Sequence, residues 1–182
     1  MTAALTALLL VLATTAGAAD YDRRAWKHWI DADGDGQDTR AEVLVRDLEP
    51  GGWHDPYTGR LEPAAGVLDL DHLVPLREAY QSGGVHWSAE TREAYANALA
   101  DPDHLVLTHR RWNRQKGARD PATWMPPACT AGHLATCCWY AASWVRVKLT
   151  WGMTMDPAER TALVTHLAAC PRPNGTSAGG GP

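Results

Sequence analysis

The sequence predicts an α+β domain, and three patterns predict it. Two strand-like runs, Val67 to His72 and Leu105 to Thr108, are separated by segments of helical spacing, and a basic helical segment follows the second run. Two later stretches repeat apolar residues at helical intervals, and four cysteines are available to staple them. The chain has 182 residues, which suits one domain, because a mature part of about 160 residues can bury a proper core.

Residues 1 to 19 carry no charge, run Leu5-Thr6-Ala7-Leu8-Leu9-Leu10-Val11-Leu12-Ala13 and end Ala16-Gly17-Ala18-Ala19, the layout of a secretory leader. Export, with no membrane attachment after cleavage, is the expected fate. The leader lacks Lys and Arg at its start, so an uncleaved anchor is the alternative, which the short apolar run disfavours. The domain is expected over residues 20 to 170 and a disordered tail over 171 to 182, where Gly179-Gly180-Gly181-Pro182 closes the chain.

Within the domain, Tyr21 to Ile30 is expected as a helix, because Trp26, Trp29 and Ile30 then share a face. Glu42 to Leu48 begins a second short helix, and the turn formers of Trp53 to Pro63 suggest a hairpin or loop. Pro75 to Gln81 and Ser88 to Leu99 read as helices between the two strands, with Ser88 as N-cap. Arg110 to Lys116 is a short helix stopped by Gly117. Cys138 to Leu149 and Asp156 to Ala169 are amphipathic helices, the second with Asp156 as N-cap, Pro157 after it and Glu159 to complete a capping box.

A formal net charge of −4 excludes a broadly basic nucleic-acid coat. It leaves room for a local patch. His109 to Arg119 holds Arg110, Arg111, Arg114, Lys116 and Arg119 with no acidic residue, whereas residues 20 to 47 hold eight carboxylates. Nine tryptophans and no phenylalanine point mainly to core packing. Trp112, inside the basic run, is the one to test for nucleic-acid contact.

The chemistry concentrates in two places. Asp71 and His72 end the first strand, where alternation sends them to opposite faces unless the backbone turns, as Pro75 suggests. With Asn113 and Lys116 brought near, they supply a hard-metal ligand, a base for water and a cation for phosphate, the needs of phosphodiester hydrolysis. Asp69 shares a face with Asp71, either as a supporting partner or as a surface charge. The second place is Asp31 to Glu42, where Asp31, Asp33, Asp35 and Glu42 occupy positions 1, 3, 5 and 12 of an EF-hand loop and Gly36 occupies position 6. Calcium binding is one reading. The other is a loop whose Asp38 and Arg40 brace the site.

Cys129, Cys137, Cys138 and Cys170 suggest two disulfides with three possible connectivities, although adjacent Cys137 and Cys138 are not expected to pair. A zinc site competes, but there is no Cys-x-x-Cys pair.

The ordered set Asp33-Gly34-Asp35-Gly36-Gln37-Asp38-Thr39-Arg40-Ala41-Glu42-Val43-Leu44, Asp69-Leu70-Asp71-His72-Leu73-Val74-Pro75-Leu76, Ser82-Gly83, Asn113-Arg114-Gln115-Lys116-Gly117, Trp124-Met125-Pro126-Pro127 and Trp144-Val145-Arg146-Val147-Lys148 resembles the His-Asn-His (HNH) endonucleases. The likeness is to their small secreted bacterial branch, related to the C-terminal nuclease domain of GmrSD-type restriction enzymes. It covers most of the mature chain. The resemblance implies a ββα-metal core wrapped by helices, with His72 as general base and Asp71 and Asn113 holding one Mg²⁺ or Mn²⁺. It places the family's middle residue at His104, and puts Lys116, Arg114 and Arg110 on phosphates. It implies a Cys138–Cys170 bond, which would leave Cys129 to join Cys137. The implied activity is hydrolysis of DNA, with RNA as the alternative substrate, at low sequence specificity and by a monomer. The rival readings are an RNA-cleaving or structure-selective nuclease and a non-catalytic, calcium-stabilised extracellular binding protein.

Overall fold

The computed structural model describes residues 20–171. The leader expected over 1–19 and the tail beyond Pro171 lie outside the described residues. The expected first helix is absent: Tyr21 to Ile30 holds only a 3-10 turn over Arg23–Ala25, and Trp29 takes a φ of 61°. The reason lies in where the aromatics go. Trp26 is buried in the larger core cluster, whereas Trp29 packs against a second cluster, and one helical face could not serve both.

Helix α1, Thr39–Arg46, starts ahead of the expected Glu42 because the Asp38 side chain caps it, accepting from the Ala41 N–H. Strands β1 (Leu48–Glu49), β2 (Gly52–Asp55) and β3 (Arg60–Glu62) form one antiparallel sheet. Its β2–β3 hairpin answers the turn-rich segment, and the two residues of β1 are too few to leave a pattern. Gly52 is obligatory there, with φ 138° and a Cβ position 2.1 Å from the Glu62 carbonyl oxygen.

Strands β4 (Leu68–His72) and β5 (Leu105–His109) pair antiparallel, with Asp71 opposite Val106 and His72 opposite Leu105. Between them lie α2 (Leu76–Gln81) and α3 (Ala89–Ala96), the latter capped by Ser88. The chain leaves β5 straight into α4, Arg110–Lys116, which Gly117 ends with φ 57°. A short α5 (Pro127–Thr130) precedes α6 (Leu134–Thr150), which begins ahead of the expected Cys138, and α7 (Pro157–Ala168) carries the expected capping box.

The larger cluster joins Trp26, Leu73, Val74, Tyr95, Tyr140 and Trp144, and the smaller one joins Val43 of α1 to Leu68, Leu70, Leu105 and Leu107. Helix α6 buries a cation as well. Lys148 Nζ donates to Glu78 at 2.7 Å and Ser82 at 2.9 Å and pairs with Glu159, so one ammonium locks α2, α6 and α7 together. Cys138–Cys170 ties α7 to α6, and Cys129–Cys137 closes α5 onto α6. All four cysteines are consumed, which removes the zinc alternative.

Candidate active site

Alternation along β4 divides its side chains. Leu68 and Leu70 join the smaller cluster together with Trp29, on which His72 stacks, while Asp69 and Asp71 face α4. The strand runs straight through His72, so the turn suggested by Pro75 comes after the pair rather than within it.

Asp71 is nearly buried. Its Oδ2 accepts from the Tyr57 hydroxyl at 2.7 Å and from Lys116 Nζ at 2.6 Å, and the same ammonium donates to the His72 carbonyl at 2.7 Å. Burial pushes the Asp71 carboxyl up and the Lys116 ammonium down, and their mutual contact opposes both shifts. Lys116 has no exposed surface, so it corrects the sequence expectation: it is the internal counter-ion of Asp71 and reaches no phosphate.

His72 stacks on Trp29 with centroids 5.4 Å apart, and its Nε2 lies 2.9 Å from the Ala96 carbonyl. A carbonyl can only accept, so Nε2 must carry the proton and a neutral ring keeps its lone pair on Nδ1. Nδ1 has no hydrogen-bond partner among the described residues. Burial holds the imidazole pKa well below its ordinary value, with the neighbouring His104 adding to the effect. His104 is itself buried, donates through Nε2 to the Tyr95 carbonyl at 2.7 Å, and has its pKa lowered to about 4 by burial. It touches no solvent-facing surface, so its place is behind His72, not against a substrate.

Asn113 does not meet Asp71. Its Nδ2 donates to Asp69 Oδ2 at 3.2 Å, and Arg114 lies 4.0 Å from the same carboxylate. Arg110 and Arg114 are exposed, as phosphate contacts require. The resemblance implies a divalent ion, and the residues fit one in kind. Asp69, Asp71 and Asn113 present hard oxygens on the α4 side of β4, and Asp71 Oδ1 accepts no hydrogen bond from the described residues. In the acidic loop, ligand atoms of Asp31, Asp33 and Asp35 lie within 4.8 Å of one another, and Glu42 has its pKa raised by desolvation and by those carboxylates. Arg40 donates to the Leu68 carbonyl at 3.1 Å, bracing β4.

Sequence reasoning missed Tyr57 and Asp55, and it read Trp29 only as part of a packing face and not as the ring on which His72 stacks. Asp55 is buried and receives Thr108 Oγ1 at 2.8 Å, anchoring the β2–β3 hairpin on β5 so that Tyr57 can reach Asp71. Nothing in the local pattern marks them, because each acts across a long chain separation.

No family model matches the chain, and no solved structure matches it. It is 33% identical over 161 residues, 82% of this chain and 76% of the relative, to an uncharacterized secreted protein of Arthroderma benhamiae. The chain belongs to that protein's family. It is a secreted protein, and no helix among its described residues is long and apolar enough to cross a membrane.

Proposed function

We propose that this secreted protein is a divalent-metal-dependent endonuclease of the HNH type, with β4, β5 and α4 as its ββα-metal unit. The observation that carries the reading is His72, fixed through Nε2 on the Ala96 carbonyl, held neutral, and left with an unpartnered Nδ1 at the end of the strand that bears Asp69 and Asp71. Immobilisation through one nitrogen is what a general base needs.

Asp69, Asp71 and Asn113 would hold the ion, with Lys116 and Tyr57 fixing the Asp71 carboxylate from behind. When bound there, such an ion would supply Lewis-acid stabilisation for the charge that develops on the phosphoryl group and the leaving oxygen. Arg110 and Arg114 position the backbone of the nucleic acid without reading its sequence. His72 Nδ1 takes a proton from water, the water oxygen bonds to phosphorus, and the bond to the 3′ oxygen breaks as that oxygen gains a proton from solvent. The products are a 5′ phosphate and a 3′ hydroxyl.

The test incubates purified protein with supercoiled plasmid and with RNA, in Mg²⁺ or Mn²⁺ and in chelator. Metal-dependent cleavage is expected, and His72→Ala should slow it by about a hundredfold to ten-thousandfold while leaving substrate affinity unchanged. Wild-type protein that leaves both substrates intact in millimolar metal defeats the reading, as does a His72→Ala variant of unaltered rate.

A further inference from the structure

A cavity of about 330 Å³ opens beside α4, between the Thr58 to Arg60 turn, Trp112 and the Pro127 to His133 segment. We propose that it seats the base of an unpaired nucleotide, so that single-stranded or frayed nucleic acid is the preferred substrate. The inference rests on the nuclease reading above and names the substrate class of that site.

Three observations carry it. The walls are mainly apolar, with Trp112, Pro127, Ala128 and Ala131, and the volume lies at the small end of ligand sites. Charge selects the occupant. No acidic side chain lines the cavity, its own Arg60 is exposed, and exposed Arg110, Arg111 and Arg114 sit on the same helix as Trp112. Arg111 lies over one face of the Trp112 ring at 4.7 Å, so a cation sits against the aromatic ring that lines the cavity, and ring and cations together suit a base and its phosphate.

The third observation is the shared scaffold. Trp112 immediately precedes Asn113, and the Ala128 N–H donates to the Tyr57 carbonyl at 3.0 Å, joining the cavity wall to the residue whose hydroxyl holds Asp71. The Cys129–Cys137 bond secures that wall. A base paired within a duplex is stacked between its neighbours and cannot enter such a slot, whereas an unpaired one can.

Fluorescence anisotropy in chelator, where nothing is cleaved, tests the slot with labelled twelve-residue oligothymidylate, oligouridylate and a DNA duplex of equal length. Wild-type protein should bind at least one single strand more tightly than duplex. Trp112→Leu should weaken that binding about tenfold with duplex affinity unchanged, and Trp112→Tyr should restore most of it. Ala131→Phe, at an exposed position that tolerates the change, should block the slot and give the same selective loss even if Trp112→Leu fails to fold. Equal affinity for strand and duplex, or variants that lose both alike, overturns the slot. Plasmid and RNA cleavage in metal decides the nuclease reading separately.

Discussion

An ammonium with no exposed surface needs a counter-charge at contact distance, and Lys116 has one in Asp71 at 2.6 Å. Removing it strands a buried carboxylate. Lys116→Ala should therefore cost about 3 to 5 kcal/mol of stability, measured by denaturant unfolding, whereas the paired change Lys116→Met with Asp71→Asn should recover much of that loss. A Lys116→Ala protein as stable as wild type would show that Lys116 is not the buried counter-ion of Asp71. The sequence places Asn113 and Lys116 three residues apart on one helical face, but it cannot say whether that face looks outward. The hairpin carrying Tyr57 decides this, by folding over Lys116 and Asp71 from a remote part of the chain. For the same reason alternation along β4 was legible, yet not that Asn113 would meet Asp69 instead of Asp71.

Elements with local stop and start signals were the legible ones. Helix α4 spans Arg110–Lys116 as expected because Gly117 ends it, and α7 follows its capping box. The first segment has one cap, Asp22, whose side chain accepts from the Arg24 N–H and starts only a single 3-10 turn, because its spaced aromatics serve two separate clusters. The loop before α1 is an intermediate case. Gly34 and Gly36 both take positive φ, and their N–H groups donate to Asp31 at 2.8 and 3.0 Å, leaving the carboxylates of Asp33 and Asp35 crowded beside it. A cation would relieve that repulsion and the raised pKa of Glu42. Millimolar calcium should thus raise the melting temperature of wild type by several degrees and have no effect on Asp31→Ala with Glu42→Gln, as read by calorimetry. A wild-type melting temperature indifferent to calcium leaves the loop with the bracing role of Asp38 and Arg40 alone.

Across the whole molecule, the two strands and the helices around them enclose a pair of histidines, and this makes stability depend on pH. His104 has a folded-state pKa of about 4, against an ordinary imidazole value near 6.5, and His72 is depressed in the same direction. Between those two values the unfolded chain binds a proton that the folded chain refuses. The stabilisation is therefore complete above about pH 6.5 and is lost as pH falls towards 4, by about 3 kcal/mol for His104 alone. Asp71 and Glu159, whose carboxyl pKa values are raised by burial, act in the opposite sense, so the total curve mixes both. A comparison of variants separates them. His104→Asn keeps an amide donor for the Tyr95 carbonyl but cannot titrate, so its stability deficit at pH 7 should narrow by about 3 kcal/mol as pH is lowered to 4. Urea unfolding at half-unit steps measures it. Parallel stability curves for wild type and His104→Asn would mean that His104 takes up its proton in the folded protein as readily as in the unfolded chain, and that the enclosure around His72 is open to water.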